Sequence, residues 1–170
     1  MDLYDLKMKL RELKKEDAPL MLEWMHDESV VQSLKTDFSK KTIEDCIAFI
    51  TAAADHSDNL HLAIADETDT YMGTVSLKHI SGDSAEFGIS IRTCAMGKGF
   101  AAFAMKEILK AGFAQYHLQK IFWCVDPDNR RAVRFYDKNG YQRTSSADEV
   151  QGYTKEEKDR FLWYCVNNRE

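Results

Sequence analysis

The sequence predicts an α+β fold built on a mixed, mostly antiparallel sheet. Two observations carry this. Three segments with strand alternation, "LHLAIAD" (60–66), "YMGTVSLKHI" (71–80) and "SAEFGISIR" (84–92), follow one another across the turns "DETDT" and Gly82-Asp83, as in an antiparallel meander. Beyond them, helical and strand patterns alternate, which requires some parallel pairing.

The elements follow in order. "KMKLREL" (7–13) alternates polar and apolar residues and reads as a first strand, with Met8 and Leu10 inward. "DAPLMLEWMHD" (17–27) reads as a helix with Asp17 as N-cap and Pro19 in its first turn. "TIEDCIAFITAAAD" (42–55) is a second helix: Thr42 and Asp45 have capping-box spacing, and Ile43, Ile47 and Ile50 form one stripe. After the meander, a long helix runs from about Gly99 to Tyr116, with the stripe Met105, Leu109, Gly112, Tyr116. "KIFWCV" (120–125) is a strand, and "DNRRAVRFYDKN" (128–139) is a helix capped by Asp128 and ended by Gly140. "YQRT" is a short strand, and a polar loop leads to a last strand, "RFLWYCV" (160–166).

The 170 residues contain no linker, repeat or low-complexity stretch, so one domain over 1–170 is expected. With 28 acidic against 23 basic side chains the net charge is −5. That balance disfavours nucleic acid, whose phosphates need a basic face, and suits a cationic partner such as an amine. The acidic start "MDLYDLKMKL" does not read as a signal peptide, and no apolar run is long enough for a membrane span. Cys46, Cys94, Cys124 and Cys165 are scattered, and neither they nor the five histidines have metal-ligand spacing. Reduced thiols in a cytoplasmic protein without a metal are therefore expected.

Two constellations carry chemistry. The first is "CAMGKGFAA" (94–102), a glycine-rich loop between a strand and a long helix. A helix N-terminus presents unpaired N–H groups and partial positive charge, and glycines let a bulky anion approach, so this is a diphosphate cradle in outline. A tight strand-to-helix turn is the bland alternative. No Lys-Ser/Thr follows the second glycine, which excludes a Walker loop, and Ala102 stands at the third position of a dinucleotide fingerprint. In the preceding strand Phe87, Ile89 and Ile91 share one face, and Glu86, Gly88, Ser90 and Arg92 share the other. Gly88 inside a strand marks a bulge or a close approach, and Glu86 is then either a carboxylate beside a cleft or a solvent-facing strand acid. The second constellation is "VDPDNRRAVRFYDKNGY" (125–141), in which Asn129 and Tyr136 are two helical turns apart on nearly one face.

These residues resemble the Gcn5-related N-acetyltransferases over about residues 8–145. The cofactor motif Q/R-x-x-G-x-G/A reads "CAMGKG" here, with Cys94 in place of the usual Gln or Arg, and "GKGFA" is similar to the branch that acetylates ribosomal-protein N-termini and spermidine. The pattern N-x-x-[SA]-x-x-x-Y-x-x-x-G-[FY] is met by Asn129, Ala132, Tyr136, Gly140 and Tyr141. The resemblance implies a three-layer α/β/α fold of about seven strands, helices on both faces, and a splayed strand pair at the cofactor site. It implies acetyl-CoA as cosubstrate, with the diphosphate on backbone N–H groups of Gly97, Lys98, Gly99, Phe100, Ala101 and Ala102. The pantetheine would pair with the strand edge at Ser90, Ile91 and Arg92 and touch Asn129. Glu86, directly or through water, would serve as base, and Tyr136 would protonate the departing thiolate.

The acceptor would be a primary amine: a protein N-terminus, a polyamine, or alternatively an aminoglycoside or nucleotide-linked amino sugar. Residues 24–42 and 145–158 would select it, and the protein would act as a monomer or homodimer. A non-catalytic acyl-CoA sensor and a nucleotide-binding protein without acyl transfer are the alternatives of other classes.

Overall fold

The computed structural model describes residues 8–145 and 150–168. Among the described residues seven strands form one sheet: β1 (Met8–Glu12), β2 (Leu60–Asp66), β3 (Tyr71–Ser81), β4 (Ser84–Ile91), β5 (Lys120–Val125), β6 (Gln142–Thr144) and β7 (Leu162–Asn167). Their spatial order is β1-β2-β3-β4-β5-β7-β6. Every neighbouring pair is antiparallel except β4 and β5. The helices are α1 (Ala18–Met25), α2 (Glu28–Val31), α3 (Ile43–Ala52), α4 (Phe100–Gln115), α5 (Arg130–Lys138) and α6 (Lys155–Arg160).

Period-two alternation in the strands separates two apolar layers. On one face Val75, Leu77, Phe87, Ile121 and Trp123 meet Ala104, Met105 and Ile108 of α4 and Tyr136 of α5. Gly112 lets α4 press onto the sheet: a Cβ there would lie 2.9 Å from methyl groups of both Ile121 and Leu77. On the other face α1 and α3 bury Met21, Trp24, Cys46 and Ile50 against Ala63 and Tyr71. Tyr71 reaches that face because the register slips between Ile64 and Ala65, leaving Met72 as an extra residue on β3. Its buried hydroxyl then accepts from Trp24 Nε1 at 2.8 Å and meets Thr74 Oγ1 at 2.6 Å, which seats α1.

Several local expectations change. Asp17 stands at the N-cap position of α1 as expected, but its side chain makes no cap hydrogen bond to that helix. It closes a 3₁₀ turn (Lys15–Asp17), where its carboxylate accepts from the Lys14 backbone N–H at 2.8 Å and takes both terminal nitrogens of Arg11 at 2.8 and 2.9 Å. Pro19 does occupy the first turn, and the Thr42–Asp45 capping box forms as the spacing predicts. Asn129 rather than Asp128 caps α5, because the Asp128 N–H is drawn into a turn by the Asp126 carboxylate at 2.9 Å. The expected polar tail loop contains α6, started by a Thr154–Glu157 capping box. The four-residue α2, capped by Asp27, was also not evident from periodicity.

One half-buried base faces the α1–α3 layer. His61 on β2 bonds Ser76 Oγ at 2.6 Å and lies under the Phe49 ring of α3, 4.7 Å between centroids. Burial, then the positive charges of Lys78 and His79, lower its pKa from 6.5 to about 4. A histidine that stays neutral when folded but protonates when unfolded makes stability rise with pH. This contribution is intact above pH 6.5 and shrinks as pH falls from there towards about 4. Chemical denaturation of the wild type should therefore show a stability slope across that window, and His61→Phe should flatten it.

Candidate active site

The parallel contact between β4 and β5 lasts three residue pairs, Ser84–Lys120, Ala85–Ile121 and Glu86–Phe122. β4 then continues to Ile91, still paired with β3 but no longer with β5. Backbone groups alternate in direction along a strand. The Arg92 N–H bonds the Met72 carbonyl of β3 at 2.9 Å, so the groups of Ser90 and Gly88 also turn to β3. Those of Ile89 and Ile91 turn to the opening. Of the three edge residues expected from the sequence, only Ile91 offers its backbone there, and Ile89 is the one that was missed.

After β4 the chain makes a 3₁₀ turn (Thr93–Ala95) and enters the glycine loop. Gly97 and Gly99 have φ of +76° and +90°, a region that disfavours any residue with a Cβ. Gly99 is the N-cap of α4 and supplies no side chain, so the first N–H groups of the helix are left for a ligand. Thr93 Oγ1 donates to Asp27 at 2.6 Å, tying the loop to the cap of α2.

These parts line one cavity of about 770 Å³. Ile89, Ser90 and Ile91 form one wall, and Gly97, Gly99, Phe100, Ala101 and Ala102 form its cradle. Asn129 and Tyr136 come from α5, and Ser29, Ser33 and Leu34 from α2 and the loop after it. Lys98 and Cys94 are exposed and lie outside the lining. Arg92 also lies outside it. Its guanidinium turns to Glu23 of α1, at 2.9 and 3.2 Å, and to the Tyr71 carbonyl at 3.1 Å. Asn129 spends its side-chain oxygen on the Ala132 N–H at 3.2 Å, leaving its amide hydrogens for the cavity.

The cavity suits an elongated anion. It takes three cations, Arg130, Arg131 and Lys138, against one carboxylate, Asp128. Arg131 reaches across to the loop, where among the described residues its guanidinium meets the Met96 thioether at 2.8 Å, a weak acceptor. Backbone donors, permissive glycines and an excess of cations in one concavity are what a diphosphate requires, so the residues present fit coenzyme A.

Tyr136 is held by aromatic neighbours: Tyr164, Trp123 and Phe135 lie 5.1, 5.3 and 5.4 Å away between ring centroids. Burial raises the phenol's pKa above its usual value, and the nearby Tyr164 and Cys124 act in the same direction. The hydroxyl therefore stays protonated.

Glu86 does not join Tyr136. It lines a second cavity of about 520 Å³ with Ser84, Lys120, Phe122, Val150 and Gly152. Its buried carboxylate accepts from the Tyr153 hydroxyl at 2.7 Å and lies 3.4 Å from Lys78 Nζ. Tyr153, absent from the sequence reading, holds this carboxylate, and its own pKa is raised by burial and then by the neighbouring Cys124 and Glu86. Of the segment 145–158 expected to select the acceptor, residues 146–149 lie outside the described residues. Among the described residues no cluster of three or more His, Cys, Asp or Glu forms a metal site, and no helix is long and apolar enough to cross a membrane.

Comparison with known proteins agrees with this architecture. A family model described as an acetyltransferase (GNAT) domain matches residues 7–142. An uncharacterized N-acetyltransferase p20 of Bacillus licheniformis is 27% identical over 148 residues, 83% of this chain and 82% of that protein. The spermidine N(1)-acetyltransferase of Escherichia coli K12 is 27% identical over 135 residues, 79% of this chain and 72% of its own. Among solved structures, spermidine N-acetyltransferase from Vibrio cholerae in complex with CoA and spermine superposes with a TM-score of 0.78, at 19% identity and 95% coverage of both chains. A GNAT-family acetyltransferase from Bacillus anthracis gives 0.74 at 20% identity, again over 95% of each chain. At such identities the superpositions establish the fold, and the family match over most of the chain establishes the rest: this protein is a member of the GNAT acetyltransferase family.

Proposed function

We propose that the chain acts as one acetyl-CoA-dependent domain that acetylates a primary amine, by direct attack in a ternary complex. The observation that carries this reading is the meeting of three features in one cavity: the unpaired β4 edge, the glycine cradle and the Tyr136 phenol. The family membership supports acetyl transfer, and the spermidine-acetylating relatives support a small amine as acceptor.

Acetyl-CoA supplies the acetyl thioester, whose carbon–sulfur bond breaks as the amine nitrogen bonds the carbonyl carbon and sheds a proton. The cradle N–H groups of Gly97 to Ala102 and the cations of α5 hold the diphosphate. The N–H groups of Ile89 and Ile91 pair with the pantetheine as with an added strand. Tyr136, kept neutral by burial, offers its hydrogen to the departing sulfur. On the acceptor side Glu86, held by the Tyr153 hydroxyl, receives the amine's proton through water. Direct transfer is disfavoured, because Glu86 lies four residues down the strand from Ser90, about 13 Å at the usual rise.

Tyr136→Phe keeps the ring and its packing and removes only the hydroxyl. Measured as CoA thiol release with an accepted amine, it should cut kcat by about 10²-fold, the lower end for general acids because a thiolate leaves readily. Acetyl-CoA affinity should stay within about threefold, since the phenol acts on the reacting bond rather than on cofactor binding. Wild-type turnover in this variant would remove the acid role. Glu86→Gln should lower kcat most near neutral pH, with the loss shrinking as pH approaches ~10, where an alkylamine is already neutral. An equal loss at every pH would make Glu86 a positioning residue for Tyr153.

A further inference from the structure

Lys35, on the loop between α2 and α3, crosses to the segment that precedes and begins α6. Its ammonium lies 4.2 Å from the centroid of the Tyr153 ring, donates to the Gly152 carbonyl, and stands 3.5 Å from a Glu157 carboxylate oxygen. An aromatic face, a carbonyl and a carboxylate are the groups that recognise a primary alkylammonium.

Each group is fixed without help from Lys35. The Tyr153 hydroxyl is anchored on Glu86, and its ring packs on Trp163 and Phe161 at 5.1 and 6.2 Å. The other oxygen of Glu157 accepts from the Thr154 N–H at 2.9 Å in the capping box. Lys35 itself is partly open to solvent, with its side chain 43% exposed. Exposed ion pairs of this kind contribute little to stability. It also sits where the two cavities approach each other: its neighbours Ser33 and Leu34 line the first, and Gly152 lines the second.

We propose that this cage is the subsite for the second ammonium of a short diamine or polyamine acceptor, and that Lys35 is its internal stand-in, displaced when the acceptor binds. The inference rests on the amine-acetylating reading. It adds that the acceptor carries two cationic nitrogens. One rests on the ring face of Tyr153, while the other reaches the first cavity, whose wall includes Ser33 and Leu34. Lys35 then sets the cost of admitting such an acceptor and tunes specificity without touching the reacting atoms.

Lys35→Met keeps the stem and empties the cage, and Lys35→Gln serves as a second neutral variant. The KM for 1,4-diaminobutane should fall about tenfold in both, the size of one displaced charged contact. The KM for butylamine, which has no second nitrogen, should stay as in the wild type, and so should kcat for either amine. Lys35→Arg retains the cation and should keep the wild-type KM for the diamine. Without acetyl-CoA, 1,4-diaminobutane should raise the melting temperature of Lys35→Met more than that of the wild type. An unchanged diamine KM in the neutral variants, an equal shift for both amines, or equal thermal shifts would overturn the proposal. If no amine were acetylated by any form while the thermal shifts still differed, the catalytic reading would fail and the cage would stand.

Discussion

The rest of the site depends on the shortness of one strand pairing. β4 and β5 are the sheet's single parallel pair, and they stay together for three positions. A parallel neighbour needs a crossover, here α4, which must start where β4 ends. The same opening therefore exposes the backbone of Ile89 and Ile91 and faces the N-terminus of α4, whose glycine cap supplies no side chain. The loop between them has to reverse within a few residues, which is why it uses Gly97 and Gly99 at positive φ. An anion site and a strand-like docking edge thus arise from one topological event.

The chemistry is arranged on either side of that opening. On the α5 side, packing of Tyr136 against Trp123 and Tyr164 holds a neutral phenol at the cavity wall. Aromatic pairs of this kind add about 0.5–1.5 kcal/mol each beyond the area they bury, so the phenol is positioned by the same contacts that stabilise the core. On the α1–α3 side the polar groups are bound to one another: Lys78 to Glu86, Glu86 to Tyr153, and Tyr153 to Lys35. α1 and α2 are fixed to the site by Arg92–Glu23 and Thr93–Asp27, so the residues just after β4 couple the acceptor-side helices to the glycine loop.

Much of this was legible because local periodicity and local conformation carry it. Alternation in 60–66, 71–80 and 84–92 marks strands in any context, and glycines before an uninterrupted helix mark a loop that turns into a free helix end. The capping of α5 was misassigned by one residue, since Asp128 and Asn129 are both good caps and the Asp126 turn decides between them. α6 was missed because six polar residues carry no apolar stripe, although Thr154 and Glu157 have the capping-box spacing. The slip that turns Tyr71 onto the α1–α3 face leaves no mark in the sequence. The cage around Lys35 was invisible for a different reason: Lys35 and Gly152 are 117 residues apart, and only the tertiary fold joins them. Alternation places Glu86 on one strand face with Gly88 and Ser90, but its distance from Tyr136 depends on how far β4 extends past the parting of the strands.

The central claim is that the cofactor lies along the open edge of β4 as an added strand. Residue-resolved amide hydrogen exchange with and without acetyl-CoA tests it directly. The account predicts that the N–H groups of Ile89 and Ile91 become slower to exchange on binding, while those of Ser90 and Arg92, already bonded to β3, change little. Uniform protection along the strand, or no added protection at Ile89 and Ile91 in a protein that binds acetyl-CoA, would contradict it.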